Sequence, residues 1–136
     1  MKLIYLFTIN LLVTHVFGQE LISLSSANPF GFKDVITNLS KQEPQEVKAV
    51  LKLPNGDGPF PLVIGVAGSL DWGSHHLEYL KMFRSIGIAT LELQSFSSRG
   101  VKSTVGSQVE VTTSMMILDA YKALDKLSVH PKISKD

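Results

Sequence analysis

From residue 47 onward the apolar positions fall into two periods that alternate along the chain. Val47, Ala49, Leu51 and Leu53 interleave with Lys48, Val50 and Lys52. A period of two sets one face on a core and the other toward water, which predicts a strand. Residues 54–59 (PNGDGP) are dense in turn formers and end it. Residues 61–67 (PLVIGVA) are continuously apolar, the pattern of a strand buried on both faces in the middle of a parallel sheet. A loop, residues 68–73, follows. Ser74 offers an N-cap with Glu78 near the first turn. Leu77, Leu80, Phe83 and Ile86 recur every three residues and predict one helical stripe. Gly87 stands where a left-handed C-terminal cap is wanted.

Residues 88–93 (IATLEL) read as the next strand and residues 94–106 as a polar loop. A long helix is predicted from about residue 108 to residue 127, ended by His130-Pro131. Its expected buried face holds Val109, Thr112, Met116, Ala120, Ala123, Leu124 and Leu127. Glu110, Ser114, Lys122, Asp125 and Lys126 mark the wet side. Upstream of residue 47 the pattern is coarser: Leu21 to Leu24 fits a short strand, and residues 28–32 fit a turn or loop. The order strand, strand, helix, strand, helix predicts an α/β fold, a three-layer sandwich with a mainly parallel sheet and right-handed crossovers. The last helix expects a further strand to complete its crossover, so residues 19–136 read as an incomplete domain.

Composition narrows the classes. The chain of 136 residues suits one domain, and 44% hydrophobic with 18% charged residues argues for a real core over disorder. Net charge is +1 with no basic block, which excludes the counterion-displacing stripe of a nucleic-acid binder. No cysteine is present, so disulfides, thiolate zinc sites and a Cys nucleophile are excluded within these residues. The first residues speak about compartment. Met1-Lys2 gives a positive start, residues 3–17 are mostly apolar, and Val16 and Gly18 occupy the −3 and −1 positions before polar Gln19-Glu20. This layout predicts a signal peptide over residues 1–18 and a secreted or periplasmic product. A first strand or a buried helix is the alternative. The run is too short for a spanning helix, which needs about 20 apolar residues, so no stable membrane insertion is expected after cleavage.

The string GIATLELQSFSSRGV, residues 87–101, lies between a strand–loop–helix unit and a long amphipathic helix that carries AYKALD, residues 120–125. Together with residues 61–68 and the ending HPKISKD, this resembles the dienelactone hydrolase family over residues 47–136. The resemblance implies the front part of an α/β-hydrolase fold and hydrolysis of a small-molecule ester or lactone, with no cofactor. In that fold a Ser or Cys on a sharp strand-to-helix turn attacks the acyl group. One oxyanion-hole N–H follows the nucleophile, and another comes from the loop after the third strand. Here that loop begins at Ala67-Gly68-Ser69-Leu70, so the resemblance implies the Ser69 N–H as donor, with Leu70 the nearby alternative. The other reading of Gly68-Ser69 is a plain turn. The family often has His before this Gly, where Ala67 stands. Arg99 falls where dienelactone-type enzymes place an Arg that holds a substrate carboxylate, a task suited to the guanidinium fork. Its other readings are a solvated loop residue or a pin on backbone carbonyls. Gln94 stands where many relatives carry Asp.

No Gly-x-Ser-x-Gly occurs. In this fold the triad runs nucleophile, acid, His, which places all three beyond Asp136. Asp119 and Asp125 read as exposed or boundary helix positions, and His130 as polar punctuation. His75 and Glu78 could share a helix face, but two ligands make no metal site. Met115-Met116 reads as core packing. The expectation is an exported ester or lactone hydrolase, held here as a fragment lacking the triad. A non-catalytic binding module derived from a shortened hydrolase, or the product of a broken reading frame, are the other readings. The nucleotide sequence after codon 136 separates them.

Overall fold

The computed structural model describes residues 18–135. The predicted signal peptide lies outside the described residues except for Gly18, whose carbonyl accepts from Leu53 N–H at 3.0 Å. Nine elements follow. They are strand β1 (Gln19–Ala27), helix α1 (Phe32–Thr37), a 3-10 turn (Leu39–Lys41), β2 (Pro44–Lys52), β3 (Leu62–Gly65), α2 (Ser74–Ser85), β4 (Ala89–Leu93), a second 3-10 turn (Ser97–Arg99) and α3 (Thr113–Leu127). The four strands form one sheet in the order β1-β2-β4-β3. Among the described residues no helix is long and apolar enough to cross a membrane.

The α/β class holds, but the expectation of a mainly parallel sheet is corrected. β2 runs antiparallel to both β1 and β4, and only β3 and β4 pair in parallel. A parallel pair needs a crossover connection long enough to hold a helix. Residues 66–88, with α2, supply one between β3 and β4. Between β1 and β2 the chain folds back, so β2 lies beside β1 as a return strand. The clean alternation of Val47, Ala49 and Leu51, each buried, is the signature of this one-sided pairing. β1 is longer than the short strand expected at Leu21 to Leu24, because it pairs with β2 from Gln19 opposite Lys52 to Ala27 opposite Pro44.

The strand buried on both faces is β4, not the segment at residues 61–67. All five β4 residues are buried, whereas the four of β3 are half-buried because β3 is the sheet edge. Ala89, Leu91 and Leu93 join Ala123 and Leu127 of α3 in the main core. Thr90 and Glu92 point to the opposite face, where Arg84 of α2 donates to Thr90 Oγ1 at 2.7 Å and Lys52 pairs with Glu92 at 2.6 Å. The two helices therefore cover opposite faces.

Local chemistry sets where the helices begin and end. The Trp72 ring, just before α2, packs closely on β3 because residue 65 is glycine. A Cβ there would meet Trp72 Cη2 at 2.7 Å. Only Leu80 of the predicted stripe is fully buried; Ile86 is 67% exposed. The N-cap is Gly73, not Ser74, and its N–H donates to His76 Nδ1 at 3.0 Å. At the other end Gly87 has φ +87°, as predicted. Gly87 N–H reaches Arg84 O and Ile88 N–H reaches Phe83 O, a Schellman closure. α3 begins at residue 113, five residues later than expected. Thr112 caps it, its Oγ1 accepting from Met115 N–H at 3.2 Å and donating to Pro29 O at 3.1 Å. The buried face shifts accordingly. Ser114 and Asp119, assigned to the wet or boundary side, are buried, while Val109 and Leu124 are exposed.

After α3 the chain returns to the outer edge of the sheet. Phe60 N–H donates to Lys132 O and Ser134 N–H to Phe60 O, both at 2.8 Å, which makes a parallel bridge between Phe60 and Ile133. His130 directs this return. Its Nδ1 accepts from Lys132 N–H at 3.2 Å, and its Nε2 lies 3.2 Å from Glu20 Oε2.

Candidate functional site

Ligands of open α/β sheets bind outside the carboxyl ends of the parallel strands. Two loops meet there in this fold, residues 66–73 after β3 and residues 94–112 after β4. Both are held by contacts that neither could make alone. Trp72 Nε1–H donates to Leu93 O at 2.8 Å. Ala67, Phe96 and Val111 are buried together, with Trp72, Val101 and Met116 packed around them.

Gly68 to Asp71 form a β-turn closed by Asp71 N–H donating to Gly68 O at 2.9 Å. The Ser69 carbonyl accepts from Thr104 N–H at 2.9 Å and from Ser103 Oγ at 3.0 Å. The turn is thus anchored through its carbonyl side. Among the described residues, the Ser69 and Leu70 N–H groups donate to no protein atom. Both residues are exposed. Leu70 (74% exposed), Val66 and Val105 stand uncovered on the same two loops. Asp71 adopts φ +60°, unusual for a residue with a Cβ, and its buried Oδ1 has no hydrogen-bond partner. Two free, fixed N–H donors at a strand's carboxyl end can stabilise a developing oxyanion.

Arg99 lies in the neighbouring loop, but its head turns inward, with the side chain 4% exposed. Nε donates to Asn28 Oδ1, Nη1 to Ser95 O and Asp119 Oδ2, and Nη2 to Ala27 O and Asp119 Oδ1, at 2.8–3.1 Å. All five donors are spent within the protein, leaving none for a substrate carboxylate. Of the readings open for Arg99, this geometry is that of a pin on backbone carbonyls. Asp119 supplies the counter-charge and is 0% exposed, which corrects its placement on the exposed or boundary side of the helix. Ser26 and Ser95 also donate to its carboxylate at 2.6 and 2.7 Å. Sequence reasoning missed Asp119 because a single acid in an amphipathic helix looks like a solvated position. Its spacing four residues from both Met115 and Ala123, on the buried face, was the available signal. Met115 itself packs in the interior. His76 stacks edge-on against Trp72, with ring centroids 6.1 Å apart, while His75 and Glu78 lie exposed.

The chain matches no protein-family model and no curated protein.

Proposed function

We propose that this chain is the front part of an exported hydrolase of ester or lactone bonds, resembling the dienelactone hydrolases, and that the Gly68–Asp71 turn supplies half of its oxyanion hole. The observation that carries the reading is the pair of unspent N–H groups at Ser69 and Leu70, on a turn held rigidly through its opposite side by Thr104 and Ser103. Preorganised donors of this kind act on the charge that develops on a carbonyl oxygen during acyl transfer, and they need no reorganisation at the moment of reaction. The exposed Leu70, Val66 and Val105 give the turn an apolar surround suited to the carbon skeleton of a small ester or lactone. This reading assigns no nucleophile, acid or base among the described residues. Ser95 is no substitute, since it is 1% exposed and its hydroxyl is committed to Asp119.

The test compares the product exported by cells carrying the gene with a Ser69→Pro variant, using p-nitrophenyl esters and a simple lactone. Proline suits the second position of a β-turn and removes the Ser69 N–H together with the side-chain hydroxyl. Turnover is expected to fall about 10²- to 10³-fold with the melting temperature unchanged. An exported product with no esterase or lactonase activity, or a proline variant as active as its parent, overturns the reading. The 136-residue chain alone is expected to give no turnover above background, because acyl transfer needs a nucleophile and its base together and neither is assigned within it.

A further inference from the structure

At the end of the sheet opposite the Ser69 turn, the face beneath α2 carries an excess of positive charge. Lys52 lies opposite Thr90 in the β2–β4 register and pairs with Glu92, which is nearly buried. Arg84 lies over the same two strands and spends one N–H on the Thr90 hydroxyl. Among the described residues no carboxylate lies within ion-pairing distance of Arg84, and no other hydrogen bond uses its guanidinium. Lys81, one helical turn earlier, lines the same groove, which has a volume of about 470 Å³ and is edged by Asn55 and Ser85. Among the described residues no acidic residue lines it. Three cations against one carboxylate leave two positive charges without a counter-charge.

Cations near a helix C-terminus often serve its terminal carbonyls. Here the Schellman closure already gives Phe83 O and Arg84 O backbone donors, and no bond from Lys81 or Arg84 to these carbonyls exists. Arg84 spends one bond on Thr90 and keeps the rest of its fork free of protein acceptors beside the groove. We propose that this groove binds a phosphate monoester. Such a group carries about −1.5 to −2 charge at pH 7 and three acceptor oxygens, which matches the uncompensated charge and the donors of Arg84, Lys81 and Lys52. Glu92 holds Lys52 in place, and Thr90 holds Arg84, so both heads are positioned before the ligand arrives. The site is independent of the Ser69 turn and of any hydrolytic role.

The experiment follows thermal melting of the full 136-residue chain in inorganic phosphate against sodium chloride of equal ionic strength. A phosphate-specific rise in melting temperature is expected. Arg84→Gln should weaken the apparent phosphate affinity by about tenfold or more, the loss of charge-assisted hydrogen bonds. Lys81→Glu, at an exposed position, should weaken it as well while leaving the melt in chloride unchanged, so a folding defect in the Arg84 variant does not decide the result. Glycerol 3-phosphate and phosphatidylcholine vesicles containing phosphatidic acid then locate the source of the group. Response to the soluble ester assigns a free metabolite, and cosedimentation with vesicles alone assigns a lipid headgroup. No phosphate-specific shift and no vesicle binding, or binding untouched by both substitutions, overturns the proposal.

Discussion

At the scale of single residues, Asp119 decides more than any other side chain. Its carboxylate accepts from Ser26 at the end of β1 and from Ser95 and Arg99 in the loop after β4, so one group on α3 ties two separate stretches of chain to the helix. Both partners of the ion pair are out of solvent. Breaking such a pair on one side strands a charge in the interior. Asp119→Asn is therefore expected to destabilise the fold by about 3–5 kcal/mol, read as a lower urea midpoint with little change in slope. Replacing both partners with apolar residues, Arg99→Met with Asp119→Leu, should recover much of that loss, since the desolvation cost of the charges goes with them. A single Asn variant as stable as its parent would show that Arg99 finds another acceptor. The same geometry explains why Arg99 serves the fold and not a ligand: its planar fork is matched on every side.

At the scale of elements, the ends of the helices are set by caps and not by the apolar stripe. The hydrophobic pattern runs smoothly back to Val109, yet α3 starts at Thr113 because the Thr112 hydroxyl caps it and also reaches Pro29. This double bond pattern fastens the segment after β1 to the first turn of α3. Thr112→Ala removes both hydrogen bonds, and a loss of about 1–2 kcal/mol is expected, measurable as a shifted urea midpoint. Thr112→Ser keeps both bonds and should retain most of the stability. If alanine and serine behave alike, the cap contributes nothing and the start of α3 is set by packing alone. α2 is the contrasting case. Its end at Gly87 was readable directly, because positive φ is a local demand that glycine meets without a steric penalty.

At the scale of the whole molecule, β1 and β3 are the two edge strands of the sheet, and the outer edge on the β3 side is only partly paired. Pro61 O faces β4, where it accepts from Ala89 N–H, and Phe60 faces the other way, toward Lys132 and Ser134. By alternation Leu62 and Ile64 present their backbone groups along the same outer edge, past the point where residues 132–134 pair. Leu62, Ile64, Leu124 and Leu127 line a groove of about 470 Å³ along this edge. An uncovered apolar edge invites association with other chains. Hydrogen exchange should find the Ile64 amide fast and the Val63 amide, which faces β4, slow. Light scattering of the isolated chain should rise with concentration, and Ile64→Lys should suppress it. Equal protection at residues 63 and 64 in dilute monomer would mean that the edge is already covered.

What the sequence determined by itself was everything that depends on neighbours along the chain. The alternation at residues 47–53, the apolar run at 61–67, the existence of a helix carrying the stripe from Leu77 to Ile86, the Gly87 cap and the strand at 88–93 each follow from a local period or a backbone requirement. The position of the Ser69 turn was legible through its place between a strand and a helix. Tertiary structure alone decided the rest. β4 is the doubly buried strand although it contains Thr90 and Glu92, because Arg84, six positions away, and Lys52, forty positions away, satisfy those groups across the fold. Hydropathy along the chain counts such residues as exposed and cannot see their partners. The reversal of β2 and the strand order depend on which flank each segment meets. The availability of the Ser69 N–H depends on Thr104 holding the carbonyl of the same residue from another loop. Burial of Asp119 depends on Arg99, twenty positions earlier. Charges and hydroxyls in the interior are settled by partners distant in sequence, and only the folded chain brings those partners together.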